Sequence, residues 1–360
     1  MVFFRGHDTS FIIGKVICFM DKKKIFWAIA SVFIAGLSIW AVISQSRNFS
    51  FATLKSFISG ADKGWLLASF VCTFGFIWFE GFALVRMARH FGYKTNALDG
   101  TVYGGADVYF SAITPSASGG QPASAYFMMK DGIPGYATTV ALLINLVMYT
   151  LALLTIGIVS IIFKYPMLKN FSVLSRFFIG IGIVVLIFLA LVFYMLLRKG
   201  KILYGICDAV IGLMEKIHVI RHGDKLRKKL KNTMAEYQEC SNSITGQTGF
   251  LAEIFFWNLM QRMSQLLVSF MIFMSMGEGV KKAVDVSVIQ CFVAMGSNCV
   301  PIPGAMGVAD YIMIDGFKQL VGDNAANMEL LCRGVTFYGS VLTSAFIILI
   351  GYILRRARKK

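Results

Sequence analysis

Charge is scarce in this 360-residue chain. Only 15% of residues are Asp, Glu, Lys or Arg, well below the quarter usual in soluble domains. Acids are the scarcer sign, 19 against 35 basic residues, for a net charge of +16. The four histidines (His7, His90, His218, His222) all fall in hydrophilic stretches, and the seven cysteines (Cys18, Cys72, Cys207, Cys240, Cys291, Cys299, Cys332) include no CxxC pair. That spacing argues against a metal centre and against a disulfide framework. Several cysteines sit inside apolar runs, where Cys acts as a small hydrophobe. GxSxG, HExxH and Walker-type loops are also missing. The sequence therefore offers no catalytic constellation, no cofactor site and no nucleotide site to drive work.

What is abundant is hydrocarbon. Hydrophobic residues make up 57% of the chain and aromatics 14%, too much apolar surface for a water-soluble fold to hide. Runs of 18 or more apolar residues are long enough to cross ~30 Å of hydrocarbon. Six read as full spans, near 25–44, 65–85, 136–163, 177–197, 250–276 and 330–354. No cleavable leader is expected, because the first long run follows Lys22, Lys23 and Lys24 and is itself span-length. With flanking basic residues, the excess of positive charge points to membrane orientation and anionic headgroups rather than to nucleic acid.

Two further segments, 101–130 and 284–317, are apolar but broken. The first is interrupted around Thr114-Pro115-Ser116-Ala117-Ser118-Gly119-Gly120-Gln121-Pro122, the second around Pro301-Ile302-Pro303-Gly304-Ala305-Met306-Gly307. Each predicts a helix–turn–helix that enters the membrane and returns, with its irregular backbone covered by protein or by a polar cavity. Folded this way, the cytoplasmic segments hold 24 Lys and Arg and the external ones 9, with both termini cytoplasmic. The alternative, in which Pro and Gly merely kink ordinary spans, would strand basic segments outside. Span–hairpin–span then occurs twice in opposite orientation, the inverted-repeat layout that forms substrate sites near the midplane. The expected fold is all-α and integral to the membrane. It has a cytoplasmic segment at 1–24, a transmembrane domain at 25–354 and a basic tail at 355–360. Within the domain, 198–247 is a basic connector whose Ile211, Met214, Ile217 and Ile220 recur at helical spacing.

The two broken motifs resemble the membrane domain of the lysylphosphatidylglycerol synthase/flippase family, the membrane part of the bacterial multiple peptide resistance factor. The stretch Thr114–Pro122 is similar to the family's TPxxxGGQP element, and Pro301–Asp310 to its P-x-P-G-G-x-G-x-x-E. The second departs at Ala305, where Gly is usual, and at Asp310, where Glu is usual and one methylene longer. The resemblance covers about 20–355. It implies a bacterial plasma-membrane protein that translocates a phospholipid between leaflets: lysyl- or another aminoacyl-phosphatidylglycerol, or another anionic or polyprenyl-linked lipid. It also implies a part in envelope lipid composition and in resistance to cationic antimicrobial peptides. The alternative is phosphatidylglycerol lysyltransferase, which in the family needs a soluble C-terminal domain. The longest hydrophilic stretch here, 198–247, is below the usual size of an independent domain. Membrane phospholipids are the expected partners, along with a separate lipid-modifying synthase; homo-oligomerisation stays open.

A translocated headgroup needs a polar path, and ionisable residues within spans are the candidates for it. Arg262 lies mid-span with Asn258, Gln261 and Gln265 on one helical face. This stripe either binds a phosphate or pairs internally with Asp107 or Asp310. Glu80 either meets a cationic group or a proton, or pairs with Arg86 or Arg89. Asp107 and Asp310 flank the two tips, with Gln121 and Asn298 nearby, where free N–H groups favour an anion. Pro115, Gly119, Gly120, Pro122, Pro301, Pro303, Gly304 and Gly307 would shape the hairpins and let a headgroup approach the backbone. Arg333, four residues after Glu329, is expected to form a local salt bridge; Glu253 falls opposite the Arg262 stripe and has no assigned role.

Overall fold

The computed structural model describes residues 59–216, 223–244, 246–298, 300, 302–305 and 307–358. The segment 1–24, the expected span at 25–44, Ile217 and Ile220 of the connector, and Pro301 lie outside the described residues. Twelve α-helices account for nearly all of the rest, and no strand occurs among the described residues. In chain order they are α1 (Lys63–His90), α2 (Ala97–Ile113), α3 (Gly120–Lys130), α4 (Gly135–Lys169), α5 (Val173–Arg198) and α6 (Gly200–Lys216). They continue as α7 (Gly223–Ile244), α8 (Thr248–Ser275), α9 (Val280–Ser297), α10 (Val308–Val321), α11 (Ala325–Arg333) and α12 (Ser340–Arg358).

Local chemistry sets where these helices start and stop. The Asp62 carboxylate accepts from the N–H groups of Gly64 (2.8 Å) and Trp65 (3.4 Å), satisfying two donors that the first turn of α1 leaves free. At the head of α2, Asp99 reaches back to the Asn96 N–H, and at α5 the Ser172 hydroxyl accepts from Ser175 N–H. The helical path of α4 breaks at Lys164 (φ −131°, ψ 34°), two residues before Pro166. The proline has no N–H to continue the ladder and its ring crowds the preceding turn.

Four stretches are long and apolar enough to cross a membrane: Lys63–His90, Gly135–Lys169, Val173–Arg198 and Pro303–Arg355. Of the six expected spans, the one at 250–276 has the length in α8 but falls short in apolarity, because the polar stripe around Arg262 interrupts it. The run at 330–354 is not one α-helix. It opens with the end of α11, passes through a π-helical turn at Gly334–Gly339, and continues as α12. Large apolar side chains stand exposed along the long helices, among them Leu67, Val71, Phe163, Val184, Phe188 and Phe346. Such a surface is suited to hydrocarbon, and the chain is a multi-pass membrane protein.

The helices form two units of like order. In the first, α1 leads, α2 and α3 pair as a helical hairpin with its tip at Pro115–Ala117, and α4 trails. In the second, α8 leads, α9 and α10 pair around a tip at Pro303–Ala305, and α11 to α12 trail. Both hairpins are antiparallel: Gln121 bonds Asp107 and Ser124 bonds the Tyr103 carbonyl in one, while Gly296 abuts Ile312 and Gly316 abuts Ile289 in the other. The leading helices are antiparallel to each other. Asp62 N–H donates to the Ser275 carbonyl at one end, Gly75 lies against Ser264 in the middle, and Arg86 pairs with Glu253 at the other end. The trailing helices cross over, α4 packing on α9 and α12 on α2. Ion pairs tie each crossing: Lys164 with Asp285, and Arg355 with Asp131 and Asp99.

An apolar core surrounds each hairpin, and helices of both units contribute to each. One gathers Ile179, Ile272, Phe273, Phe292, Ile312 and Phe317 around the second hairpin. The other gathers Leu84, Met87, Tyr103, Met128 and Ile144 around the first. Where α1 crosses α2, backbones touch: a Cβ on Gly81 would run into the Gly100 carbonyl, and one on Gly104 into the Ile77 carbonyl. Small residues let membrane helices come this close. Helix α7 of the basic connector docks on the domain, with Tyr237 and Ser241 donating to the carbonyls of Leu196 and Leu197.

Candidate functional site

The two hairpin tips meet. Each holds a non-glycine residue in the left-handed region, Ala117 (φ 54°) and Ala305 (φ 50°), which costs an L-residue roughly 1–2 kcal/mol. Ala305 is the position where the resembled motif carries Gly, and the backbone shows why Gly suits it. Ala305→Gly is expected to raise stability by about 1 kcal/mol. The check is thermal unfolding of the detergent-solubilised protein; a lowered midpoint would contradict the strain. The second tip is fastened from outside. Arg333 pairs with Asp310 at 2.6 Å and donates to the Gly304 carbonyl at 3.3 Å, and Asp310 accepts from Gly307 N–H at 2.9 Å.

Beside the tips, a cavity of about 310 Å³ is walled by both units. It takes Phe76 and Glu80 from α1, Asp107 and Ser111 from α2, Gln121 from α3, Asn145 and Tyr149 from α4, and Gln261, Arg262 and Gln265 from α8. Thr336 and Phe337 of the π-helical turn close one wall, and Leu189 and Phe193 of α5 give it an apolar side. A second chamber of about 170 Å³ shares Ser111, Ala117, Tyr149, Arg262, Gln265 and Asn298 with the first and ends on Gly304 and Ala305 of the second tip. Arg262 thus faces two chambers, one running to each hairpin.

The Arg262 side chain is buried (6% exposed) yet pairs with no described carboxylate. Its Nη1 donates to Gln265 Oε1 at 2.6 Å, and its guanidinium carbon sits 3.7 Å from the Tyr149 ring centroid. Phe76 lies on it as well, at 5.6 Å. Its Nε has no partner. Stacking on an aromatic face holds a planar cation while leaving in-plane N–H groups free, the arrangement that suits bidentate anion binding.

The same cavity is lined by acceptors. Glu80, 1% exposed, accepts from Asn145 Nδ2 at 2.6 Å through Oε1, while its Oε2 has no partner. Asn145 in turn accepts from Asn258 Nδ2 at 3.0 Å, so α1, α4 and α8 are stitched by one chain of bonds. Asp107 accepts from Gln121 Nε2 at 3.1 Å. Gly120 makes this possible, since a Cβ there would overlap the Asp107 carboxylate and the Ser111 hydroxyl.

Most residues predicted from the sequence come together here. Arg262, Gln261, Gln265, Glu80, Asp107, Gln121 and Asn298 line the cavity, and Asn258 supports it from behind through Asn145. Asp310 does not: it faces Arg333 and caps the second tip. Neither Asp107 nor Asp310 forms an ion pair with Arg262. Glu80 pairs with neither Arg86 nor Arg89, because Arg86 is taken by Glu253 at 2.5 Å and Arg89 by the Thr95 carbonyl. Glu253, unassigned before, is thus the partner that fastens α8 to the end of α1. Arg333 does meet Glu329, at 3.6 Å, but its shorter pair is with Asp310. Sequence reasoning missed Asn145 and Tyr149. Their signal was present: two polar-headed residues four apart in an otherwise apolar run share one helix face.

Compared with known proteins, the chain matches the family model described as the lysylphosphatidylglycerol synthase TM region over residues 27–344. No curated protein and no solved structure matches it.

Proposed function

The chain belongs to the lysylphosphatidylglycerol synthase transmembrane-region family, and from this and the cavity's chemistry we propose that it moves a phospholipid between the two leaflets. The observation that carries the reading is Arg262: a buried guanidinium with no carboxylate partner among the described residues, stacked on Tyr149, lining a polar cavity and with its Nε–H unpaired. A phosphate is the anion that every phospholipid headgroup supplies, and an arginine held flat presents donors to it. About 310 Å³ is near the lower end of small-molecule pockets, roughly 300–1,000 Å³. It accommodates a headgroup and leaves the acyl chains in hydrocarbon, beside the apolar wall of Leu189 and Phe193. Cargoes that meet this description are lysyl- or another aminoacyl-phosphatidylglycerol, or another anionic or polyprenyl-linked lipid made by a separate synthase.

In this reading the α2–α3 and α9–α10 hairpins are re-entrant and open to opposite faces of a bacterial plasma membrane, with both termini cytoplasmic. The antiparallel leading helices support the inversion, as does the split of 24 against 9 basic residues. Two experiments test it. Reconstituted in liposomes with fluorescent phospholipids, the protein should expose inner-leaflet label to an impermeant quencher faster than empty vesicles do; equal rates would end the proposal. In a cysteine-free background, Ser118→Cys should react with impermeant maleimide from the cytoplasmic side and Ile302→Cys from outside. Both sites are exposed, so labelling from one common side would remove the inverted arrangement.

A further inference from the structure

The cavity's charges do not balance. Among its lining residues Glu80, Asp107 and Arg262 are ionisable, two acids against one base, and Tyr149 is the other titratable group; α3, α5 and the π-helical turn contribute neutral side chains. Two carboxylates thus face one guanidinium, and neither touches it within ion-pairing distance. Hydrogen bonding is equally lopsided. Among atoms shielded from solvent at the cavity wall, Glu80 Oε2, Gln121 Oε1 and Gln261 Oε1 are acceptors without a donor, and Arg262 Nε is a donor without an acceptor. Water can satisfy acceptors, but it cannot cancel a net negative charge held in a low-dielectric site. The excess is one unit, and Glu80 Oε2 is one of the unpaired acceptors.

We infer that the space shared by Glu80 and Asp107 binds one small univalent cation, a proton or an alkali-metal ion, which leaves when cargo enters and so couples transport to an ion gradient. The coupling rests on the translocation reading; the ion site itself does not. With an anionic headgroup on Arg262 and the ion gone, the carboxylates are available to whatever positive group the cargo carries. Without cargo, the ion neutralises them. The same acceptors serve either occupant, so the two compete.

Ion binding is measured on the purified full chain in detergent. In choline buffer, radiolabelled sodium should bind saturably at about one ion per chain if the occupant is an alkali ion. Glu80→Gln, which keeps an acceptor for Asn145, and Asp107→Asn should each weaken it by roughly tenfold or more. If no sodium binds, a protonated-carboxyl stretch in the infrared spectrum at neutral pH, lost in both variants, identifies the occupant as a proton. Two variants guard against one failing to fold, and each must elute as a single species. Sodium absent together with no carboxyl band sensitive to either substitution overturns the ion site and leaves lipid movement standing. Intact ion binding with no leaflet exchange removes the translocation reading instead. If exchange occurs but its rate ignores a gradient of the bound ion, the coupling is wrong.

Discussion

Arg262→Ala should bring leaflet exchange down to the rate of empty vesicles. Among the described residues the side chain is the only cationic group lining either chamber, so its removal leaves a phosphate with two carboxylates and no counter-charge. Truncating one partner of a buried charged contact costs roughly 2–5 kcal/mol, about 30-fold or more in rate if the contact is made in the rate-limiting state. Arg262→Lys should recover little. Lysine keeps the charge but not the flat guanidinium that stacks 3.7 Å from the Tyr149 centroid while bonding Gln265. Tyr149→Phe should retain most activity and Tyr149→Leu should lose it, because the ring face rather than the hydroxyl holds the cation. The Tyr149 hydroxyl has only a long contact, 3.5 Å to Asn298. A stable, monodisperse Arg262→Ala protein that exchanges lipid at the wild-type rate would mean that the headgroup path lies elsewhere.

The second large effect is structural. Gly104→Val should cost on the order of 3 kcal/mol or more, seen as a lowered unfolding midpoint in detergent. At this crossing the added atoms meet backbone, the Ile77 carbonyl and Gly81, which cannot swing aside as a side chain could. Separating α1 from α2 would also pull Glu80 from Asp107, since these helices carry one carboxylate each. Gly180→Ala is the control: nothing lies within 4 Å of the added carbon, so stability should hold or rise slightly. If both variants unfold alike, close backbone contact is not what joins these helices.

How much of this could be read from the chain alone differs from residue to residue. The apolar runs and their breaks were legible because crossing hydrocarbon demands length and apolarity whatever the neighbours do. The Arg262 stripe was legible because helical spacing alone puts residues 258, 261, 262 and 265 on one face. The tip glycines were legible as turns, but not the role of Gly120, which makes room for Asp107 across the hairpin. Pairing was the hardest to read. Arg86, Arg89, Asp107, Asp310, Glu253 and Glu329 offered several plausible partners, and spacing within one helix cannot choose between them.

Those choices belong to the tertiary structure. The residues of Arg86 and Glu253 stand 167 positions apart, and only the antiparallel packing of α1 on α8 joins them. That union takes Arg86 from Glu80, and the Arg333–Asp310 pair takes Asp310 from the cavity. Among the described residues Arg262 is left without an acid in ion-pairing range, and Glu80 without a base. The sequence by itself determined the scarcity of charge, the membrane helices and the two broken hairpins, since these follow from local composition and solvent. Which few charges would be spent holding helices together, and which would stay open around one cavity, was decided by distances between helices that no local pattern contains.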